Sequence, residues 1–541
     1  MILDESRRLI PQQGDWQAMR AAFRWPRPER FNIARACCDD WAARDPGREA
    51  ITHLDASGGR QVWTYGRLKE QSDRLANALA ARGLRRGDRL AILLPQCPEV
   101  MVTHFAAMKL GCVALPLFTL FGPDALRFRL SDSGARAVVT DAEGAEKLDG
   151  LRADLPDLRE VFVTGPARAP FRSLEGEIAA ASDRLTPVDT LADDPAVLIY
   201  TSGTTGNPKG VLHAHRFLIG HLPSMETVHE GFPKPGDRGW TPADWAWIGG
   251  LMDMAMPCLY YGIPQLSGRM RRFDPDEAFA LIRAEGLRNL FLPPTALKLM
   301  RQARVPPGIA LRSVGSGGES LGAILDWARE ALGVVPNELY GQTECNLVCG
   351  SSWGSMEIRP GSMGQAVPGF EVALLGPDGT PVPTGEMGEI SVRRGTPGMF
   401  LRYWNRPEAT AAKWTGDWMR TGDLATRDAD GYVTFASRDD DVITSSGYRI
   451  GPTEIENCLT GHPDVVMAAA VGHPDPVRTE VVVAHVVLRE GLTLTTALEA
   501  ELIARVRSRI SAHVAPRRVV QEASLPMTAT GKIMRRELRP Q

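Results

Sequence analysis

Several absences narrow the field. The 541 residues include eight cysteines (Cys37, Cys38, Cys97, Cys112, Cys258, Cys345, Cys349, Cys458), with no CxxC pair and far too sparse for a disulfide framework, so reduced thiols and a cytoplasmic location are expected. Cys345 and Cys349 are spaced to face one another on a helix, but no two further ligands stand nearby to complete a metal site. Charge of one sign is also missing. A net charge of −3 and a pI near 6.4 give no general pull toward nucleic acid or an anionic membrane. The longest apolar run, around Cys112 to Phe121, is short and interrupted by proline, so membrane insertion is not expected. Met1 to Gln13 carries Asp4 and Glu5 and lacks the apolar stretch of a secretory signal. There is no internal repeat and no low-complexity tract.

What is present is a chain that can bury large cores, with 43% hydrophobic residues and enough length for two or three domains. From Tyr65 to Gly122 a helical pattern (Leu68, Leu75, Leu79) alternates with strand-like runs at Leu90 to Leu94 and Val113 to Leu117. Similar runs recur at Ala137 to Val139, Val161 to Val163, Ala196 to Tyr200 and Leu290 to Leu292. Such βα repetition predicts parallel sheets covered by helices. Pro166 to Asp194 reads as an irregular connection between two of them. Glu371 to Thr434 changes to short β runs with turns at Pro377-Asp378-Gly379 and Asp430-Gly431. After Arg438-Asp439-Asp440-Asp441 comes a compact α+β stretch of domain size. The expected fold class is therefore α/β: a large N-terminal domain, 1–438, of two parallel-type βα sheets plus a β-rich subdomain, followed by a small α+β domain, 439–541.

The most informative segment is Tyr200-Thr201-Ser202-Gly203-Thr204-Thr205-Gly206-Asn207-Pro208-Lys209-Gly210. It places five hydroxyls, three glycines and a lysine in eleven residues directly after an apolar strand. Glycines let backbone N–H groups approach phosphate oxygens, hydroxyls add donors, and Lys209 adds a point charge. It is not a Walker A loop. Gly210 stands where that motif needs a hydroxyl to hold Mg²⁺.

This string resembles the phosphate-binding signature of the adenylate-forming superfamily, which comprises acyl-CoA synthetases, peptide-synthetase adenylation domains and luciferases. Further signatures follow in the family's order. Gly315-Ser316-Gly317-Gly318-Glu319-Ser320 is similar to the glycine-rich segment lining the nucleotide and acyl pockets. Glu338-Leu339-Tyr340-Gly341-Gln342-Thr343-Glu344 is similar to the segment that covers adenine with the Tyr340 ring, binds the α-phosphate through Thr343 and holds Mg²⁺ through Glu344. Asp423 matches the aspartate that accepts from both ribose hydroxyls, with Arg438 reaching the same sugar, and Asp440 matches the pivot between domains. Ser445 to Pro452 resembles the medium-chain acyl-CoA synthetase version of its motif. There Ser446, Gly447, Tyr448 and Arg449 face CoA, and Gly447 leaves room for the pantetheine arm. Arg478 is open to two readings, a CoA phosphate contact or an ordinary surface arginine. Gly531-Lys532 matches the catalytic lysine.

The resemblance implies an ATP-, CoA- and Mg²⁺-dependent acid–thiol ligase whose C-terminal domain is mobile. That domain presents Lys532 for adenylation and then the Gly447 face for thioester formation. It also implies an acyl pocket at Trp247, Gly317 and Gly341. Gly341 stands where acetate-activating members carry tryptophan, so a longer chain is expected to fit. No arginine or lysine lies between Trp245 and Tyr260, which favours short- to medium-chain neutral acids over dicarboxylates. An aromatic-acid ligase and a carrier-loading adenylation enzyme are the alternatives, and the chain is expected to be a monomer or homodimer. Pro526 and Gly531-Lys532 fit a Pro-x₄-Gly-Lys pattern that marks the lysine for a protein acetyltransferase and deacetylase in similar bacterial enzymes. The same pattern is equally explained by the turn requirements of the loop.

Overall fold

The computed structural model describes residues 3–10, 14–55, 57–201, 208–268, 270, 272–318, 321–322, 324–438, 441–445, 448–475, 478–510, 514–528 and 532–540, with the backbone alone at 444, 448, 449 and 454. Four sheets organise them.

The first sheet has eight strands. At its centre the strand β1 (Pro195–Thr201) runs parallel to Val113–Pro116, which pairs in parallel with Arg89–Leu93; Ala137–Thr140, Glu160–Val163 and Arg172–Ser173 continue the parallel run. β2 (Lys209–Ala214) returns antiparallel to β1, and Arg402–Tyr403 adds the edge beyond it. The inner strands are buried on both faces, which explains their unbroken apolar runs. The helix Tyr65–Ala81 is capped by Thr64, whose side chain accepts from Arg67 N, and buries the Leu68, Leu75 and Leu79 stripe. The helix α1 (Phe217–Val228), by contrast, is buried all round between layers.

The second sheet has nine strands. Its parallel core runs through Glu49–Leu54, Gln265–Ser267, Gly239–Trp240, Asn289–Phe291, β3 (Ser313–Gly317) and β4 (Asn337–Gln342). Arg60–Thr64, β5 (Asn346–Gly350) and Gln365–Ala366 are added antiparallel. The third sheet is antiparallel and includes Val372–Leu375, Gly388–Arg393, β6 (Trp418–Arg427) and β7 (Val433–Arg438). The fourth lies wholly after residue 441. It combines the hairpin Ile443–Ser445/Tyr448–Ile450 with the long antiparallel pair Val465–Asp475/Thr479–Leu488 and a parallel strand Arg518–Gln521, covered by α2 (Pro452–Thr460) and Thr496–Arg509.

The expected class, α/β with parallel-type sheets, a β unit and a small α+β domain, is the class observed. Two local expectations change. The Pro166–Asp194 connection contains a short strand at Arg172–Ser173 and a helix at Leu174–Ala180, started by the Ser173 side chain accepting from Gly176 N. Cys345 sits in a turn and Cys349 in β5, so the helical facing pair does not exist. Both thiols are buried, and burial pushes them up to about 12. Among the described residues no group of three or more His, Cys, Asp or Glu could hold a metal ion. No described helix is long and apolar enough to cross a membrane.

Candidate active site

β3 and β4 are parallel neighbours with Gly317 opposite Leu339; Gly318 follows the carboxyl end of β3, and the Thr343-Glu344-Cys345 turn follows that of β4, which runs on to Gln342. In open α/β sheets ligands bind at such ends, where chain reversals leave a crevice. The β1–β2 hairpin brings Thr201 opposite Lys209. The residues joining them, Ser202, Gly203, Thr204, Thr205, Gly206 and Asn207, lie outside the described residues; Pro208 is described and half-buried. Lys209 Nζ stands 5.3 Å from the centre of the Tyr403 ring.

Glu344 is nearly buried, and its Oε1 accepts a 2.6 Å hydrogen bond from the Tyr403 hydroxyl. Burial and the adjacent carboxylate raise the Tyr403 phenol well above its ordinary value, so it stays a donor. One Glu344 carboxylate therefore stands beside the Lys209 hairpin. Mg²⁺ is usually held by one or two carboxylates plus substrate phosphates, and this site fits that donor set.

A second cluster surrounds Asp423 on β6. Its Oδ2 accepts from the Tyr340 hydroxyl and from Gln342 Nε2, each at 2.6 Å, while Oδ1 lies 3.8 Å from Arg438 Nε on the paired strand β7. Gln342 Nε2 also reaches Thr421 O at 2.9 Å. One carboxylate thus ties β4 to the third sheet while its second oxygen faces an arginine.

Glu338, one position before Leu339, is fully enclosed in β4; burial pushes its carboxyl up to about 8, against a weak downward pull from the Leu321 amide. Between its ordinary 4.5 and this value the folded chain keeps a proton that the unfolded chain has released. The stability this group allows is therefore intact below its ordinary value and is lost as pH rises through about 8. Glu338→Gln should remove that dependence. The variant's stability relative to wild type should climb between about pH 5 and 8 by at most ~1.4 kcal/mol per pH unit, read by denaturant melts across the range. A pH-independent difference would show that the carboxyl is ionised when folded.

Lys532 comes from the opposite end of the chain. A Cβ placed on Gly318, whose φ is +106°, would stand 3.6 Å from Lys532 Cε. The lysine therefore projects over the end of β3. Glu319, Ser320, Asp440, Ser446 and Gly447 lie outside the described residues, as do the side chains of Tyr448 and Arg449; the backbone of the latter two pairs with Ser445 and Thr444. Arg478 is exposed, with its amide donating to Asp475 Oδ1 at 2.8 Å.

The acyl-side residues gather differently from expectation. Trp247 is half-buried beside Phe291 at a ring separation of 5.7 Å, and Gly249 lies close against both rings. Gly315 packs closely against Val228, where a Cβ would stand 2.9 Å from Cγ1, and a Cβ on Gly317 would come within 2.8 Å of Leu339 O. At Gly341, however, the Cβ direction points into the facing strand. A Cβ would overlap the Asn346 carbonyl oxygen and stand 2.8 Å from Leu347 Cα, because the β4–β5 ladder is bulged between Tyr340 and Gly341. A tryptophan flooring the pocket from this position would therefore have to displace the facing strand at Asn346 and Leu347. Gly341→Ala or Gly341→Trp should therefore lower stability by about 1–3 kcal/mol or more, measured by thermal melting. A variant as stable as wild type with a shortened acyl preference would restore the pocket reading.

Tyr403 and Phe291 were not anticipated. Both are aromatics in ordinary-looking runs, and only the fold places one on Glu344 and the other on Trp247. An open cavity of about 880 Å³ is lined by Tyr403 together with, among others, Arg27, Arg216, Arg394, Phe400 and Trp414. None of the predicted site residues lines it.

The Lys209 hairpin thus stands beside the Glu344–Tyr403 pair, and Lys532 lies over the end of β3. The chain belongs to the AMP-binding enzyme family, whose main part matches residues 38–404 and whose C-terminal domain matches residues 454–532. It is 34% identical over 510 residues to the acetyl-coenzyme A synthetase of Bacillus subtilis (strain 168), covering 91% of this chain and 86% of that protein. It is also 34% identical over 559 residues to the human mitochondrial acyl-coenzyme A synthetase ACSM5, covering 98% and 94%. Among solved structures, the anthranilate CoA ligase AuaEII in complex with anthranoyl-AMP superposes with a TM-score of 0.87 at 26% identity, covering 94% of this chain and 97% of that one.

Proposed function

We propose that the protein is an ATP- and CoA-dependent carboxylic acid ligase acting on short- to medium-chain fatty acids, branched ones included. A carboxylate is inert toward thiols because its leaving group would be oxide. In the first half-reaction its oxygen attacks the α-phosphorus of ATP, pyrophosphate leaves, and an acyl-adenylate forms. In the second, the CoA thiol attacks the acyl carbonyl and loses its proton to solvent, and AMP leaves.

The observation that carries this reading is Lys532 standing over Gly318 at the carboxyl end of β3. Lys532, Thr343, Lys209, Thr201 and the loop between them would stabilise the charge developing on phosphorus and pyrophosphate. Asp423 would take the ribose hydroxyls, aided by Arg438, and Tyr340 would lie against adenine. Glu344 would hold Mg²⁺, which when bound neutralises phosphate charge. The acyl tail would lie along Gly317 and Gly315 toward Trp247. Asp440 would be the pivot of a unit beginning at 439, turning Ser446, Gly447, Tyr448 and Arg449 toward CoA for the second half-reaction, with Arg478 near its phosphates.

The relatives' names, acetyl- and acyl-coenzyme A synthetase, support formation of an acyl-CoA. A second reading, aromatic acids, is favoured by the aromatic Trp247–Phe291 pair, its rings tilted 47° to one another, and by the likeness to the anthranilate ligase. Pyrophosphate release with CoA, measured over straight-chain acids from acetate to dodecanoate and over branched and aromatic acids, separates them. The fatty-acid reading expects the highest kcat/KM among aliphatic acids of intermediate length; a maximum on benzoate-type acids would replace it. Acetylation of Lys532 by a protein acetyltransferase would remove its charge and stop adenylation alone.

A further inference from the structure

Lys532 sits at the end of a short hairpin that cannot by itself fix a long side chain. Its strands are held by Met534 N donating to Pro526 O at 2.8 Å, Thr528 N to Lys532 O at 2.8 Å and Lys532 N to Thr528 Oγ1 at 3.1 Å, with Met527 bridged to Ile533. Apart from the exposed Lys532 its named residues are half-buried, and a two-stranded element of this kind is marginal unless something packs on it.

Directly past the hairpin base stands Arg535, largely buried. Its Nε and Nη2 donate to the two oxygens of Glu456 at 2.8 and 2.7 Å, a bidentate fork, and Nη1 reaches Asp441 Oδ2 at 3.3 Å. Glu456 belongs to α2 and is itself fixed, because its Oε1 also accepts the Ala470 amide at 2.9 Å. The start of α2 is pressed on the third sheet, since a Cβ on Gly451 would overlap the Ala436 carbonyl of β7. One guanidinium thus joins three elements: the lysine hairpin, the helix seated on the third sheet, and the residue immediately after Asp440.

We propose that Arg535 is the positioning residue for Lys532, resting on the function proposed above. Through the Glu456 fork and the Asp441 contact it sets the hairpin's direction relative to the body of the enzyme, so that the ammonium group meets phosphate during adenylation. Thioester formation does not use Lys532 and so does not depend on this alignment. A planar fork is what makes the position specific: lysine could supply the charge but not two parallel bonds.

The test uses the full-length enzyme in two single-turnover assays, pyrophosphate release from acid and ATP, and thioester formation from chemically prepared acyl-adenylate and CoA. Arg535→Met is expected to slow the first on the order of 100-fold, the loss that misplacement of a reacting group by about an ångström produces, while the second stays near wild type. Arg535→Lys should recover part of the first rate. Glu456→Gln, which keeps an acceptor for Ala470, should reproduce the split. Equal loss of both half-reactions in Arg535→Met and Glu456→Gln, with no recovery in Arg535→Lys, would overturn the proposal in favour of general stabilisation of the domain. Wild-type rates in all three variants would overturn it as well. Failure of wild type to release pyrophosphate, or of Lys532→Ala to impair release, would instead overturn the underlying functional reading.

Discussion

Lys532→Ala is expected to reduce acyl-adenylate formation on the order of 100- to 1,000-fold, the usual cost of deleting one preorganised group aimed at developing charge. The same variant should convert supplied acyl-adenylate and CoA to thioester at close to the wild-type rate. The asymmetry follows from position. Lys532 lies over Gly318 at the end of β3; on the proposed reading it meets the phosphates there during adenylation and is turned away before AMP leaves in the second half-reaction. Stability should change little, because the side chain is exposed. Rapid-quench measurement of both half-reactions, with a thermal melt as control, checks this. Equal loss in both would mean that the lysine supports the fold or binds CoA.

Asp423→Ala should act on nucleotide affinity and on stability together. Oδ1 of the carboxylate faces Arg438 while Oδ2 holds Tyr340 and Gln342, and on the proposed reading the carboxylate would also accept from the ribose hydroxyls. Losing two charge-assisted bonds to ribose, at about 1.5–3 kcal/mol each, should raise KM for ATP at least ~100-fold. Deletion also takes an acceptor from the buried Tyr340 phenol and from the Gln342 amide, which keeps Thr421 O; the phenol left unsatisfied costs roughly 1–3 kcal/mol. Asp423→Asn keeps an acceptor for one of them. It should therefore recover more stability than ATP affinity, and initial rates across ATP concentration beside urea melts separate the two. Unchanged KM for ATP in a destabilised Asp423→Ala would reduce the residue to a strand tie.

The parallel βα layers were legible because strands such as Arg89–Leu93 and Ala137–Thr140 are buried on both faces and read as unbroken apolar runs. The antiparallel unit after Glu371 was legible from its turns, and Gly379 and Gly431 do adopt the left-handed conformation there. Long-range assembly was not. Glu49–Leu54 pairs with Gln265–Ser267, more than two hundred residues later, and periodicity records nothing about such partners. The main candidate residues were readable as types in order along the chain. Their directions were not: a bulge one residue wide turns Gly341 into the facing strand, and the Tyr403 hydroxyl reaches Glu344 only because Arg402–Tyr403 pairs with β2. Arg535 was overlooked for a related reason. Following Gly531-Lys532 within a basic tail, it looks like a solvated charge until α2 supplies Glu456.

The most direct measurement is acid-dependent exchange of labelled pyrophosphate into ATP in the absence of CoA, followed by CoA addition and mass-spectrometric identification of products. Reversible adenylation predicts exchange that requires the carboxylic acid, is lost in Lys532→Ala, and gives way to equimolar AMP and acyl-CoA once CoA is present. Exchange without acid, or thioester formation accompanied by ADP and phosphate in place of AMP and pyrophosphate, would contradict it.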